Sequence, residues 1–329
     1  MTKRILLLGA GFSRNWGGWL ASEVFEYLIG LPSIQEQPGI YKLLWKYQHS
    51  GGFEGALAEL QGLSARAGAT TDDKQSLEAL EQGVMQMFAE MNAAFVAQEF
   101  EFGQLVRKFL TRFDAIYTLN QDILLERQYA SSVFPLPDGV NRWNGVQWPC
   151  VRPPYSLAEF EPQRWLTEPW MIDPDAPMHI EKNVQPIIKL HGSSLWRRSD
   201  AETNVLIIGG RKAGAIAQDP LLNWYGELFR EALNASGTRL MTIGYGFGDP
   251  HINQAISDGF SSGLKLFNIS PEGADAWTET PGAGIGDIRG ENYLEGNLIG
   301  ASRRSIHEIV DPNNAEYSKL MRFFHPLRG

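Results

Sequence analysis

The sequence predicts an α/β fold: a doubly wound parallel sheet carrying an inserted helical module and a loop-rich insertion. Three observations predict it. Short apolar runs end in glycine, as in "ILLLGAG" (Ile5–Gly11), which is how a strand buried on both faces of a parallel sheet reads. Strand, polar loop and helix alternate over most of the 329 residues. Polar residues, with one glycine among them, recur just after the expected strands, at Ser13, Asn120, His191, Gly244 and Asn268. In an open parallel sheet the ligand crevice lies at the carboxyl ends of the strands, so these segments are expected to converge on one site.

The elements follow in order. Ile5–Leu8 is the first strand, and a helix is expected over Trp19–Ile29. Residues 39–112 read as mostly helical; Leu77, Leu80, Val84, Met87 and Met91 recur at three- and four-residue steps, one face of a helix. "DAIYTLNQD" (Asp114–Asp122) is a second strand with a polar end. Val133–Gln185 is rich in Pro, Trp and Asp and nearly aperiodic, and so long an irregular stretch is usually functional or partly mobile. "PIIKLHGS" (Pro186–Ser193) is a strand ending in His-Gly-Ser, and Asn204–Gly210 is another. Asp219 caps a helix with Pro220 at its first position and Gly237 past its end. "RLMTIGYGFGDPHIN" reads as strand, glycine-rich turn and a helix capped by Asp249, and "LKLFNISPEG" as a further strand. The expected division is a sheet domain from 1–30 and 113–329, with the loop-rich insertion at about 133–185, and a helical module at 31–112.

Composition narrows the function. A 43% hydrophobic content supports a packed core, and a net charge of −9 disfavours broad nucleic-acid binding. One cysteine, Cys150, allows neither an internal disulfide nor a cysteine-based zinc site, and His49, His179, His307 and His325 lack metal-like partners in the sequence, so no metal is expected. No apolar run reaches the roughly 18 residues of a membrane helix, and the first strand is too short and lacks a following cleavage site to be a signal peptide. A cytoplasmic protein is expected. The methionine-striped block is expected to offer an apolar face for self-association.

The opening stretch raises the possibility of phosphate contact, since glycine admits a ligand close to the backbone and a helix N-terminus attracts anions. It departs from the dinucleotide fingerprint, with Arg14 where the third glycine belongs and no acidic strand end about 20 residues on. His191 is a candidate base, because an imidazole with an ordinary pKa near 6.5 accepts a proton at neutrality; a buried structural histidine is the alternative. Asn120 is a candidate for orienting water or a hydroxyl, since an amide donates and accepts without competing as a nucleophile. Asp122 either caps the following helix or orders the site, Arg14 either meets a phosphate or is solvated, and His251 is a possible second polar contact. The tryptophans from Trp143 to Trp170 either cover a pocket or pack.

"GAGFS", "TLNQD", "KLHGS" and "IGYGFGDPHIN", in this order, resemble the sirtuin-like superfamily, and most closely its zinc-free prokaryotic antiphage-defence members. Gly9–Ser13 stands for the Gly-Ala-Gly-x-Ser loop, Thr118–Asp122 for Thr-Gln-Asn-x-Asp with Leu119 replacing the glutamine of deacetylases, and His191–Gly192 for the catalytic His-Gly. The four-cysteine zinc module of the deacetylases is missing. The resemblance implies a Rossmann-like domain and an NAD+ glycohydrolase that depletes NAD+. It implies His191 and Asn120 as catalytic, and Gly9, Ala10, Gly11, Phe12, Ser13, Asp122, Gly244, Gly246 and Asn268 as nucleotide-binding. NAD+ is then substrate, and no cofactor is expected. A homo-oligomer with a separately encoded partner, such as a HerA-like ATPase or a short argonaute, is the implied regulator. A zinc-free protein deacylase or ADP-ribosyltransferase and a non-catalytic NAD or ADP-ribose sensor are the alternatives.

Overall fold

β1 (Arg4–Leu8) is apolar on both faces because it sits in the middle of a parallel sheet. A computed structural model of the chain describes residues 3–97, 103–129, 143–154, 162–198, 204–210, 212–276 and 296–325. After β1 come the helices α1 (Ala10–Arg14), α2 (Ala21–Gly30), α3 (Pro32–Gln35), α4 (Pro38–Tyr47), α5 (Gly52–Ser64), α6 (Thr71–Ala97) and α7 (Gly103–Leu110). β2 (Ala115–Thr118) and α8 (Leu124–Tyr129) follow, then β3 (Val146–Gln147), β4 (Val151–Arg152), α9 (Pro162–Thr167) and β5 (Trp170–Ile172). Next are β6 (Gln185–Lys189), β7 (Gly192–Arg197), β8 (Asn204–Leu206), α10 (Lys212–Gln218), α11 (Pro220–Asn234) and β9 (Arg239–Ile243). The chain continues through α12 (Pro250–Ser261), β10 (Lys265–Ile269), β11 (Leu298–Ser302), α13 (Ile306–Val310) and α14 (Ala315–Met321).

Seven strands form one sheet in the order β11-β10-β9-β1-β2-β6-β3, and its strand pairs are parallel. From β1 the chain builds outward through β2 and β6, then returns to the other side of β1 with β9 and builds outward again. The direction reverses between β1 and β9, which is the topological switch point where such sheets place their crevice. The fold is therefore the Rossmann-like α/β arrangement that the sequence predicts.

The register sets the site. Leu8 pairs with Thr118 and Ile243, Thr118 with Lys189, and Ile243 with Ile269, so these five residues form one row across the sheet. Gly9, Asn120, His191 and Gly244 lie one or two residues beyond that row. Asn268 lies one residue before it, inside β10 opposite Thr242.

Three features differ from the sequence reading. The strand expected to end in His-Gly-Ser stops at Lys189; Gly192 begins β7, which belongs to a second sheet of order β4-β5-β7-β8. Gly192 has φ +75°, and a Cβ there would lie 2.0 Å from the Val205 carbonyl oxygen, so only glycine permits the turn that moves the chain from one sheet to the other. The segment expected as a strand over Asn204–Gly210 is β8 of that second sheet, antiparallel to β7. Part of 133–185 lies outside the described residues; the described part carries β3, β4, α9 and β5, because Trp148 and Trp170 pack edge to face at 4.8 Å and give it a core.

The methionine stripe also differs from its expected use. Leu80, Val84, Met87 and Met91 of α6 are buried in the continuous core shared with the sheet, so the stripe offers no outward apolar face. Among the described residues the large exposed apolar side chains are Trp45, on α4 of the same helical block but off the stripe, and Met178 and Ile180 outside the block. No helix among them is long and apolar enough to cross a membrane.

Candidate functional site

The four motifs meet at the carboxyl edge of the sheet and are joined into a ring. The first and last join through backbone. Gly11 N–H donates to the Gly244 carbonyl at 2.9 Å and Gly9 N–H to the Ile243 carbonyl at 3.0 Å. A Cβ on Gly11 would lie 2.6 Å from Gly244 Cα, and one on Gly244, whose φ is +62°, would lie 2.3 Å from Gly11 C and Phe12 N. The opening glycines are thus required by a second strand's backbone, a close approach additional to the phosphate contact that the sequence raises as a possibility. Phe12 N–H donates to Gly9 O at 2.9 Å, and Ala10–Arg14 is a short helix where the resemblance implies a loop over Gly9–Ser13. Phe12 itself is buried against Trp16.

The first and second motifs join through side chains. Ser13 Oγ donates to Asp122 Oδ2 at 2.7 Å, and Asn120 Nδ2 donates to Ser13 Oγ at 2.9 Å and Gly9 O at 3.0 Å. Asp122 Oδ1 accepts from Leu124 N–H at 2.9 Å, so Asp122 both orders the site and caps α8. Ser13 and Asp122 are buried, and Asn120 is half-buried, with its amide oriented by this network. The second motif meets the third where Leu190 N–H donates to Thr118 O at 2.9 Å.

The third and fourth motifs join through two imidazoles. His191 Nε2 lies 3.3 Å from His251 Nε2, the rings tilted by 42°. His191 is 2% exposed, and burial pushes its pKa down to about 3, with Asp249 opposing and Lys212 and His251 reinforcing the shift. This corrects the expectation of an ordinary imidazole: His191 is held neutral and is a weak base in this arrangement. Burial also lowers His251, against the pull of Asp249.

Asp249 occupies the first boundary position of α12, but its side chain makes no capping bond. Its carboxylate instead faces Lys212 Nζ at 3.3 Å, which in turn pairs with Glu54 Oε2 at 2.7 Å. Burial pushes the Asp249 carboxyl up, but His191, Lys212 and His251 outweigh it and hold it below the usual range. Burial alone would lower Lys212; its two carboxylates raise it.

Asn268 does not join the ring. It is 2% exposed, Oδ1 accepts from Thr242 Oγ1 at 2.7 Å, and Nδ2 donates to Gly273 O at 2.5 Å and Ser270 Oγ at 3.0 Å. Its place one residue inside the strand explains this burial. Among the described residues, a Cβ on Gly246 would meet no atom within 4 Å, so they do not pack that glycine as Gly11 and Phe12 pack Gly244. Arg14 is half-exposed and pairs with Glu23 at 2.5 Å.

Four contributors were not legible as site residues. Asn92 of α6 accepts Ile123 N–H at 3.1 Å and donates to Ser194 Oγ at 3.0 Å, bracing the turn after Asn120. An amide within an apolar helical face is a signal that could have marked it. Lys189, 1% exposed, donates to Glu126 Oε1 at 2.7 Å and to Asp122 O at 2.5 Å beneath the site. Glu54 and Lys212 belong to helices with no motif, and nothing in the sequence pairs them.

Residues 114–265 match the family described as SIR2-like domain, a stretch that holds Asn120, Asp122, His191, Gly244, Gly246 and Asp249 and leaves Gly9–Ser13 and Asn268 outside it. Comparison with curated proteins gives no match. SIR2-like domains are in general NAD-using, and the matching residues 114–265 are similar to them and carry three of the four joined motifs, around Asn120, His191 and Gly244.

Proposed function

We propose that this protein is an NAD+ glycohydrolase, a regulated effector of antiphage defence that depletes NAD+. The observation that carries the reading is the ring itself: an oriented half-buried amide, Asn120, and a neutral imidazole, His191, stand past the ends of adjacent strands β2 and β6. Glycosidic cleavage suits such a pair. The C1′–N bond breaks with its electrons leaving on nicotinamide, which departs neutral and needs little acid assistance. Water then adds to the oxocarbenium-like C1′, and its proton passes to an acceptor and on to solvent, giving ADP-ribose. Asn120 orients the water or ribose hydroxyls, and His191 is the acceptor. A positively charged carbon asks for positioning more than for strong basicity, so a low-pKa imidazole serves. Gly9–Ser13, Gly244 and Gly246 flank the nucleotide in this reading.

A free NAD+ hydrolase would harm its own cell, so assembly or a separately encoded partner, such as a HerA-like ATPase or a short argonaute, supplies the trigger. The burial of His191 favours one second reading, a non-catalytic NAD or ADP-ribose sensor. Incubation with NAD+, with and without the natural partner, followed by product analysis, separates the two. Nicotinamide and ADP-ribose should appear, and His191→Ala and Asn120→Ala should each lose roughly 10²–10⁴ in rate. Binding without turnover under both conditions refutes the hydrolase.

A further inference from the structure

We propose that His191, His251 and Asp249 form a site for one divalent transition-metal ion of the zinc class. Their ligand atoms all lie within 4.8 Å of one another. The two Nε2 atoms are 3.3 Å apart, and two imidazoles on a tetrahedral zinc, at about 2.0–2.1 Å each, are separated by about 3.3–3.4 Å. Without an ion, one ring must present a proton to the other; with one, both present lone pairs to the same point. The Asp249 carboxylate lies within 4.8 Å of both nitrogens, near enough to serve as third ligand, and water would complete the tetrahedron. Asp249 retains 19% side-chain exposure and His251 is partly exposed, so the site has an entry path.

Glu54 and Asp249 share the Lys212 ammonium, and Arg230 adds a second positive charge near His251, so the site rests on its geometry and donor set. Burial shifts both imidazoles toward their neutral form. A neutral imidazole is the ligand form. Lys212 opposes the ion by its own charge and weakens the site without abolishing it. Capture of the ion engages the nitrogen of His191 that faces His251. Binding itself does not depend on the hydrolase reading; its effect on turnover does.

The test uses ZnCl₂ alone, added to the metal-free full chain and followed by calorimetry and by competition with a chromophoric chelator. One ion should bind per chain. His251→Ala should weaken binding by more than about 100-fold, since even outer-shell changes cost about 10–100-fold. Lys212→Met should tighten it by about tenfold or more, because a like charge has gone; a chance surface site would not respond. Should His251→Ala fail to fold, the imidazole proton resonances of the wild type decide: those of His191 and His251 should shift together at one equivalent. The proposal falls if wild type and His251→Ala bind alike, or if zinc moves only other histidines. Zinc that binds here yet leaves NAD+ cleavage unchanged upholds the site and removes His191 from the chemistry.

Discussion

Substituting Gly244 by alanine should unfold the ring of motifs at one joint. Its φ of +62° lies in the left-handed region, which costs an L-residue roughly 1–2 kcal/mol. Its new Cβ would sit 2.3 Å from Gly11 C and Phe12 N, backbone atoms that cannot rotate away. Overpacking of that kind costs about 1–3 kcal/mol more. The expected loss is therefore about 2–5 kcal/mol. Gly246 is the internal control: two residues away, with no atom of the described residues within 4 Å of a Cβ and no positive φ, its alanine variant should stay within about 0.5 kcal/mol of wild type. Urea unfolding followed by tryptophan fluorescence reads the difference. With a slope of about 3 kcal/mol per molar, Gly244→Ala should lower the midpoint by about 1 M, and Gly246→Ala should leave it in place. Indistinguishable midpoints for the two variants would refute the backbone-to-backbone contact as the reason for glycine at Gly244.

Further outcomes are expected of the same fold. Lys189→Met strands the buried Glu126 carboxylate and should cost about 3–5 kcal/mol, whereas adding Glu126→Leu should restore most of it in the same melts. Asn92→Leu leaves the buried Ile123 N–H without its acceptor and should cost about 1–3 kcal/mol, with faster hydrogen exchange at Ile123. His191 makes metal-free stability pH-dependent. Its pKa falls from 6.5 to about 3 on folding, so between those values the unfolded chain binds a proton that the native chain refuses. Stability contributed by the neutral ring is intact above pH 6.5 and falls by about 1.4 kcal/mol per unit below it, about 2 kcal/mol by pH 5. His191→Gln should flatten that part of the profile in pH-dependent denaturation; an unchanged slope would mean that the ring titrates normally.

The central sheet was legible because strands buried on both faces carry a continuous apolar signal, as in Ile5–Leu8, and because each ends in glycine or a polar residue. Convergence of Ser13, Asn120, His191 and the 244–251 turn was legible from fold class alone. The role of the opening glycines was not, because glycine permits close approach without naming what approaches, and here it is Gly244. The second sheet escaped because β7 follows β6 with only Leu190 and His191 between them, and an apolar run cannot show that it changes sheets. The shift of His191 was illegible for another reason: burial is a property of the packed state, and Lys212 and Asp249 reach it from sequence positions with no shared pattern.

Asn92 changes what the helical stretch between β1 and β2 is to the rest of the molecule. Its amide holds the turn between β2 and α8 from outside the sheet, through Ile123 and Ser194. A shortened chain that joined α2 directly to β2 would keep every strand of the seven-stranded sheet and still leave that turn without its brace. The helices are thus no ornament that can be cut away or transplanted. Grafting the four motifs onto a bare sheet of the same topology would reproduce the residues and lose the scaffolding that aims Asn120.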